Sequence, residues 1–298
     1  MIKNTNVISA YSICRKITLE NSKTFFFASI FLDKAKRNSC YAVYAFCRYI
    51  DDLIDKAVGD SNGEINNELV IKTVKRWQSN LDSVYAGDSL SDPIMVAWAD
   101  TLKKYKIDRT LPDYLIEGVM SDLKKSVRYK TFEELYDYCF KVASVVGLMV
   151  TPIFGYAKPE TLDYAVDLGV AMQLTNILRD IGEDLNNNRI YLPEDELNKF
   201  ELSGDDLFKK EININFIKLM KNQINRADYY YDKAENGIKM LSKESQITVK
   251  IMSINYRKIL RRIEKNNYDV FHLRASTSLL NKIGSIPNIY FKTYFKNN

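Results

Sequence analysis

Two stretches of the chain concentrate side chains able to do chemistry. The first, Tyr44-Ala45-Phe46-Cys47-Arg48-Tyr49-Ile50-Asp51-Asp52-Leu53-Ile54-Asp55, places Tyr44, Arg48, Asp51 and Asp55 within an arc of about 60° on a helix, with Asp52 to one side. The second, Gln173-Leu174-Thr175-Asn176-Ile177-Leu178-Arg179-Asp180-Ile181-Gly182-Glu183-Asp184, gathers Gln173, Asn176, Asp180 and Asp184 on a stripe about 80° wide. Carboxylates one helical turn apart repel by roughly 0.2–0.5 kcal/mol, and Asp is a poor interior helix former. A solvated face is the ordinary explanation of one such stripe. Here residues 41–50 are strongly apolar and aromatic, and the second stripe shares its helix with Leu and Ile, so both acidic groups point to a polar ligand.

Oxygen-only donors select hard cations, and Mg²⁺ takes one or two carboxylates per ion together with water and phosphate oxygens. Arg48, Arg179 and Arg189 stand near enough in sequence to hold phosphate oxygens that a metal leaves free. The combination suggests metal-assisted departure of a diphosphate. The glycines form neither GxGxxG nor a P-loop, so nucleotide-type phosphate cradling is not indicated.

The rest of the chain must position these two stripes. It has 298 residues, 46% of them hydrophobic, with only 6 Pro and 11 Gly, which favours long helices over turn-dense β architecture. Thr131-Phe132-Glu133-Glu134 reads as a capping box that opens a helix ending near Pro152, and Pro112 and Pro159 sit where first-turn prolines belong. Residues 59–67 and 186–193 read as loops. No repeat or composition shift divides the chain, so residues 1–298 are expected to form one all-α domain. Aromatics make up 12% of the residues; most are expected in the core, and in a large helical barrel some would line a deep apolar pocket.

Composition also excludes. A single histidine, His272, rules out multi-histidine zinc sites and His-dependent triads, and alone it reads as a structural or surface residue. Cys14, Cys40, Cys47 and Cys139 lack CxxC spacing and are expected to be reduced core or lining residues of an intracellular protein. The N-terminal residues lack the apolar stretch of a secretory signal. The longest nearly apolar run, residues 142–157, is broken by Pro152 and falls short of the roughly 20 residues of a membrane span, so no transmembrane helix is expected. A net charge of +5 is too mild for nucleic-acid binding, yet leaves room for an anionic membrane surface or a diphosphate.

The chain resembles the squalene and phytoene synthase family of head-to-head prenyltransferases from Tyr11 to about Leu280. The resemblance is carried by Asn21-Ser22-Lys23-Thr24-Phe25, the first acidic stretch, Arg128-Tyr129 with Thr131-Phe132, residues 138–147, the second acidic stretch with Arg189-Ile190-Tyr191-Leu192-Pro193, and Asn267-Tyr268-Asp269-Val270-Phe271. It implies an all-α isoprenoid-synthase fold around a deep cavity. By the same resemblance two or three Mg²⁺ ions, replaceable by Mn²⁺, would be held by Asp51, Asp52 and Asp55 on one side and by Asn176, Asp180 and Asp184 on the other. Gln173, Asn176 and Phe25 would border the substrate, and Ser22, Thr24, Arg48, Arg179 and Arg189 would contact diphosphate. Tyr44, Arg48, Arg179 and Tyr256 would stand at the reacting allylic groups.

The implied chemistry has two ionisations, the first giving a cyclopropylcarbinyl diphosphate and the second a triene, with diphosphate itself as the base. The run Thr24-Phe25-Phe26-Phe27-Ala28-Ser29-Ile30-Phe31-Leu32 resembles phytoene synthases most, and a small Ser29 on the pocket floor would leave room for long chains. The expected reaction is therefore condensation of two geranylgeranyl diphosphates to phytoene in carotenoid biosynthesis. The alternative is farnesyl diphosphate condensed to dehydrosqualene or presqualene diphosphate. A more remote one is a non-catalytic assembly factor of the same fold, against which both acidic stretches are complete. The longer C-terminal anchoring region of eukaryotic relatives is missing, which argues against reductive squalene formation, and NADPH is not expected. Where family members often carry Tyr-Cys-Tyr and Ala-Gly, this chain has Tyr138-Cys139-Phe140 and Ala143-Ser144. The expected setting is cytoplasmic, with peripheral membrane contact through the aromatic and lysine-rich tail at residues 289–296 and with a desaturase downstream.

Overall fold

Local capping accounts for the starts of the first helices in the computed structural model, which describes residues 6–59, 67–124 and 126–276, with the side chains of residues 55–59 and 67 left out. The Asp55 side chain, residues 60–66 of the expected loop and the tail at 289–296 lie outside the described residues. Helix α1 (Val7–Asn21) starts where the Asn6 side chain accepts from Ile8 N–H, and Ser22 caps α2 (Lys23–Ala28) by accepting from Phe25 N–H. After a 3₁₀ turn at Ser29–Phe31, Asp33 accepts from the N–H groups of Ala35 and Lys36 and opens α3 (Lys34–Gly59). Then come α4 (Asn67–Ala86), α5 (Pro93–Leu102), capped by Asp92, and α6 (Thr110–Met120), with Pro112 in its first turn, where a missing N–H costs nothing.

Helix α7 (Phe132–Cys139) runs through a π turn at Phe140–Ser144 into α8 (Val145–Phe154). Pro159 lies just ahead of α9 (Thr161–Asn186), which is followed by α10 (Glu194–Lys199), α11 (Gly204–Phe208), α12 (Ile214–Ile238) and α13 (Lys243–Lys265). Among the described residues there are no strands, only isolated bridges between Val127 and Arg189 and between Tyr156 and Leu241.

Two local expectations change. Thr131 does precede α7, but it makes no capping hydrogen bond, and Glu134 accepts from Lys130 N–H instead of closing a box. The helical stretch does end near Pro152, at Phe154 with Gly155 as its cap, but it is not one uninterrupted α-helix from Thr131, because the π turn at Phe140–Ser144 divides it. Joined through the π turn, Phe132–Phe154 is long and apolar enough to cross a membrane by length and composition. The added length over the apolar run at residues 142–157 comes from residues 132–141 ahead of it. In the fold this stretch packs against α3, α6 and α9.

Two large apolar cores result, with a small third cluster of Ala28, Ile247 and Ile251. One large core joins α1, α3, α4, α5 and α8 around Phe46, Trp77 and Trp98; the other joins α7, α9, α12 and α13 around Leu174, Phe216 and Tyr231. Val142 and Leu168 pack against both and mark the seam. All four cysteines are buried and free, as their spacing predicted.

Candidate active site

A cavity of about 340 Å³ opens along that seam. Helical periodicity decides what faces it: α3 contributes Cys40, Val43, Tyr44 and Asp51, α9 contributes Tyr164, Leu168, Met172, Gln173 and Asn176, and α13 contributes Val249, Met252 and Tyr256. Ser22 and Phe25 complete the wall beside Tyr44. Both stretches therefore line one cavity, through Asp51 on α3 and Gln173 with Asn176 on α9. Ser22, Arg48, Asp51 and Tyr256 all act electrostatically on Tyr44, so these groups form one polar mouth above an apolar interior.

On the α3 side, Arg48 pairs with Asp52 one turn on, while its Nε is buried with no hydrogen-bond partner among the described residues. Burial pushes the Tyr44 phenol up to about 12, and its ring lies 5.7 Å from that of Phe25. Thr24 sits in the first turn of α2 and is not part of the cavity wall.

On the α9 side, Asn176 Nδ2 donates to Gln173 Oε1 at 3.3 Å, and Asn176 Oδ1 is buried without a partner among the described residues. One turn further, Arg179 holds both carboxylate oxygens of Asp180, with Nε donating at 2.8 Å. Desolvation, reinforced by the charge of Asp180, pushes the Asp184 carboxyl up to about 8, against the opposing pull of Arg189. Arg189 is buried, and its Nη2 donates to Asp122 O at 3.1 Å. Asp180, Asp184, Arg179 and Arg189 are not part of the cavity wall: Arg179 and Asp180 act electrostatically on the wall residue Tyr256, while Asp184 and Arg189 line a separate small pocket with Tyr191 and Leu192. Tyr256 is likewise shifted upward by burial, partly offset by Arg179.

Some placements differ from expectation. Ser29 does not line the cavity. The helix tightens to a 3₁₀ turn there, rotating the residue off the Phe25 face, and its fully buried hydroxyl donates to Phe26 O at 2.7 Å and bonds the Tyr41 hydroxyl at 2.9 Å. The two family departures are also off the wall. Phe140 packs edge-on to Tyr114, and Ser144 donates to Val166 O at 2.8 Å where α9 approaches so closely that a Cβ on Gly169 would lie 2.5 Å from Ser144 Cα. His272 is exposed and bonds Asp269 Oδ1 at 3.1 Å, in keeping with the structural reading.

Other groups were not singled out from the sequence. Arg274 Nε donates to Asp180 Oδ1 at 3.0 Å from a segment that crosses the acidic turn at Gly182, where a Cβ would come within 2.7 Å of the carbonyls of Val270 and Phe271. The Asp122 carboxylate accepts from the hydroxyls of both Tyr138 (2.9 Å) and Tyr191 (3.0 Å), with Tyr129 stacked nearby. The tyrosines lay in recognised stretches; nothing around Asp122 or Arg274 marked them.

Among the described residues no three His, Cys, Asp or Glu side chains converge into a ready-made metal cage. The donors nonetheless suit a hard cation shared with a phosphate ligand. They are all oxygen, one of them, Asn176 Oδ1, is buried and unpartnered, and the Asp180–Asp184 repulsion is the kind a bound cation relieves.

Comparison with known proteins fits this geometry. The family model described as squalene/phytoene synthase matches residues 19–281. The chain belongs to the squalene/phytoene synthase family. Its relatives include a 15-cis-phytoene synthase of Synechococcus elongatus, 39% identical over 93% of this chain and 91% of the relative. A phytoene synthase of Arthrospira platensis is 36% identical over 93% and 91% of the two chains. Among solved structures, a dehydrosqualene synthase in complex with ligand superposes with a TM-score of 0.87 at 28% identity, covering 98% of each chain. A squalene synthase from Alicyclobacillus acidocaldarius gives 0.79 at 25% identity over 88% of this chain and 96% of that one. As a family member the protein has the isoprenoid-synthase fold and is a prenyltransferase, of a class that generally depends on divalent metal.

Proposed function

We propose that this chain condenses two geranylgeranyl diphosphates head to head, through a cyclopropylcarbinyl diphosphate, to phytoene. The observation that carries the reading is the meeting of the two acidic stretches at the mouth of one apolar cavity, through Asp51 and Asn176. The 36–39% identity to phytoene synthases supports the choice of substrate length.

Asp51 and Asp52 from α3, with Asp55, and Asn176, Asp180 and Asp184 from α9 would hold two or three Mg²⁺ ions, with Mn²⁺ able to replace them. The bound metal supplies positive charge to a departing diphosphate. The chain's own residues do the rest. Arg48, with an unspent Nε–H, and Arg179 and Arg189 would donate to diphosphate oxygens. Burial keeps the phenols of Tyr44 and Tyr256 protonated at neutral pH, so they can donate to diphosphate while their ring faces stabilise a neighbouring allylic cation. The apolar wall from Val43 to Val249 excludes water, which would quench either cation. With both phenols protonated and the one histidine exposed, the released diphosphate is the base.

The test is incubation of purified protein and Mg²⁺ with geranylgeranyl or farnesyl diphosphate separately, followed by hydrocarbon extraction. The expected product is the 40-carbon triene from the first; turnover of farnesyl diphosphate alone overturns the reading. Because substrate and product are greasy, the proposed setting is cytoplasmic with peripheral contact to the membrane, where a desaturase can take up the triene. Flotation with anionic vesicles measures that contact.

A further inference from the structure

The end of the cavity away from the carboxylates is closed by a knot of polar groups. Phe154 is both a wall residue and the last residue of α8. Its carbonyl accepts from Lys36 Nζ at 2.9 Å, Ser242 Oγ at 2.7 Å and Ser245 Oγ at 2.9 Å. Lys36 Nζ also donates to Ser242 Oγ at 3.0 Å and to Glu244 Oε1 at 2.6 Å. An ammonium has three N–H donors, and here each meets one acceptor. The two chain connections beside the knot are stitched together, Ala157 N–H donating to Met240 O at 2.9 Å and Ser242 N–H to Gly155 O at 3.0 Å. Leu241, another wall residue, lies between those stitches.

The knot is far from the diphosphate end. Lys36 precedes the wall residue Cys40 by about one helical turn, and Asp51 stands about 22 Å further along α3. Lys36 thus ties the helix that carries Asp51 to the two connections that form the cavity floor. Its side chain is only 17% exposed, and these three bonds hold its ammonium in place.

We propose that Lys36 is a positioning residue for substrate length, fixing how far a prenyl chain can run before it meets Phe154 and Leu241. The inference rests on the reading of the cavity as a prenyl pocket. Ser29 is fully buried, bonds the Tyr41 hydroxyl and is not part of the cavity wall, whereas Phe154 and Leu241 at the floor are.

Competition between geranylgeranyl diphosphate and the 25-carbon geranylfarnesyl diphosphate tests it, with Mg²⁺ and purified wild type, Lys36→Met and Glu244→Gln, each checked for folding by thermal midpoint. The ratio of kcat/KM for the longer over the shorter substrate is expected to rise about tenfold in Lys36→Met and less in Glu244→Gln, which keeps the acceptor oxygen. The kcat for the preferred substrate should stay within about threefold, because the diphosphate end is untouched. An unchanged ratio, or an equal fall for both lengths, overturns the proposal and leaves Lys36 a structural residue. Should Lys36→Met fail to fold, the Glu244→Gln ratio decides in the same way. A wild-type preference for farnesyl diphosphate would overturn the phytoene reading instead, and the same ratio is then read with each substrate one isoprenoid unit shorter.

Discussion

The two ends of the cavity treat polar atoms in opposite ways. At the floor, every donor of Lys36 finds an acceptor, and Ser242, Ser245 and Glu244 are bonded to one another or to Phe154. At the mouth, Asn176 Oδ1 and Arg48 Nε are buried without partners among the described residues, and the Asp184 carboxyl sits where its charge is unwelcome. Buried groups left unsatisfied cost about 1–3 kcal/mol each, so a fold keeps them where something else will complete them. At these two ends, the polar groups of the floor are closed on one another and those of the site are left open.

That contrast is strongest at the carboxylates. Asp180→Asn or Asp51→Asn is expected to lower kcat by about 10²–10³-fold with little loss of thermal stability, checked by diphosphate release alongside a melting curve. Retention of full activity by both variants would remove the mouth from the chemistry and revive a scaffold role.

Asp184 sharpens the same point through pH. A carboxyl held near 8 binds its proton more tightly folded than unfolded, so its contribution to the stability of the metal-free protein is complete below the ordinary carboxylate range and is lost as pH rises through about 8. Melting temperatures of metal-free protein should fall between about pH 5 and pH 8, and Asp184→Asn should flatten that slope. Saturating Mg²⁺ should offset the fall, since a metal-bound carboxylate must be ionised.

A crossed pair of substitutions compares the ends directly. Asn176→Leu removes an unsatisfied carbonyl and should stabilise the metal-free protein by about 1 kcal/mol, while lowering activity by about 10–100-fold. Ser245→Ala removes a satisfied hydroxyl and should destabilise by about 1 kcal/mol in denaturant titrations. If both variants move stability in the same direction, the contrast between the ends fails.

Ser29→Phe gives the smallest functional effect. Its site is full, so overpacking should cost about 1–3 kcal/mol, while the substrate-length preference of the folded fraction stays where it was.

Much of this was legible in the chain. Periodicity placed Tyr44 and Asp51, and Gln173 and Asn176, on common helix faces, and those faces do line the cavity. Cysteine spacing and the isolated His272 were also read as the structure has them. What failed was local geometry that depends on tertiary partners. A 3₁₀ turn rotated Ser29, a π turn at Phe140–Ser144 interrupted the helical stretch that runs to Pro152, and Lys130 N–H took the acceptor that Thr131 was expected to use. What was invisible was long-range closure. Arg274 meets Asp180 across 94 residues and Lys36 meets Glu244 across 208, and no window on the sequence spans either pair.

The separation of those pairs also sets an order of assembly. Synthesis delivers the chain from its N-terminus, so the residues that fasten the floor, Ser242 to Ser245, emerge before the segment that lays Arg274 over the acidic turn at Gly182. A nascent chain can therefore acquire a closed bottom while its rim is still bare. The segment that covers Asp180 arrives after the floor residues, and that carboxylate remains open to solvent and ions until it does.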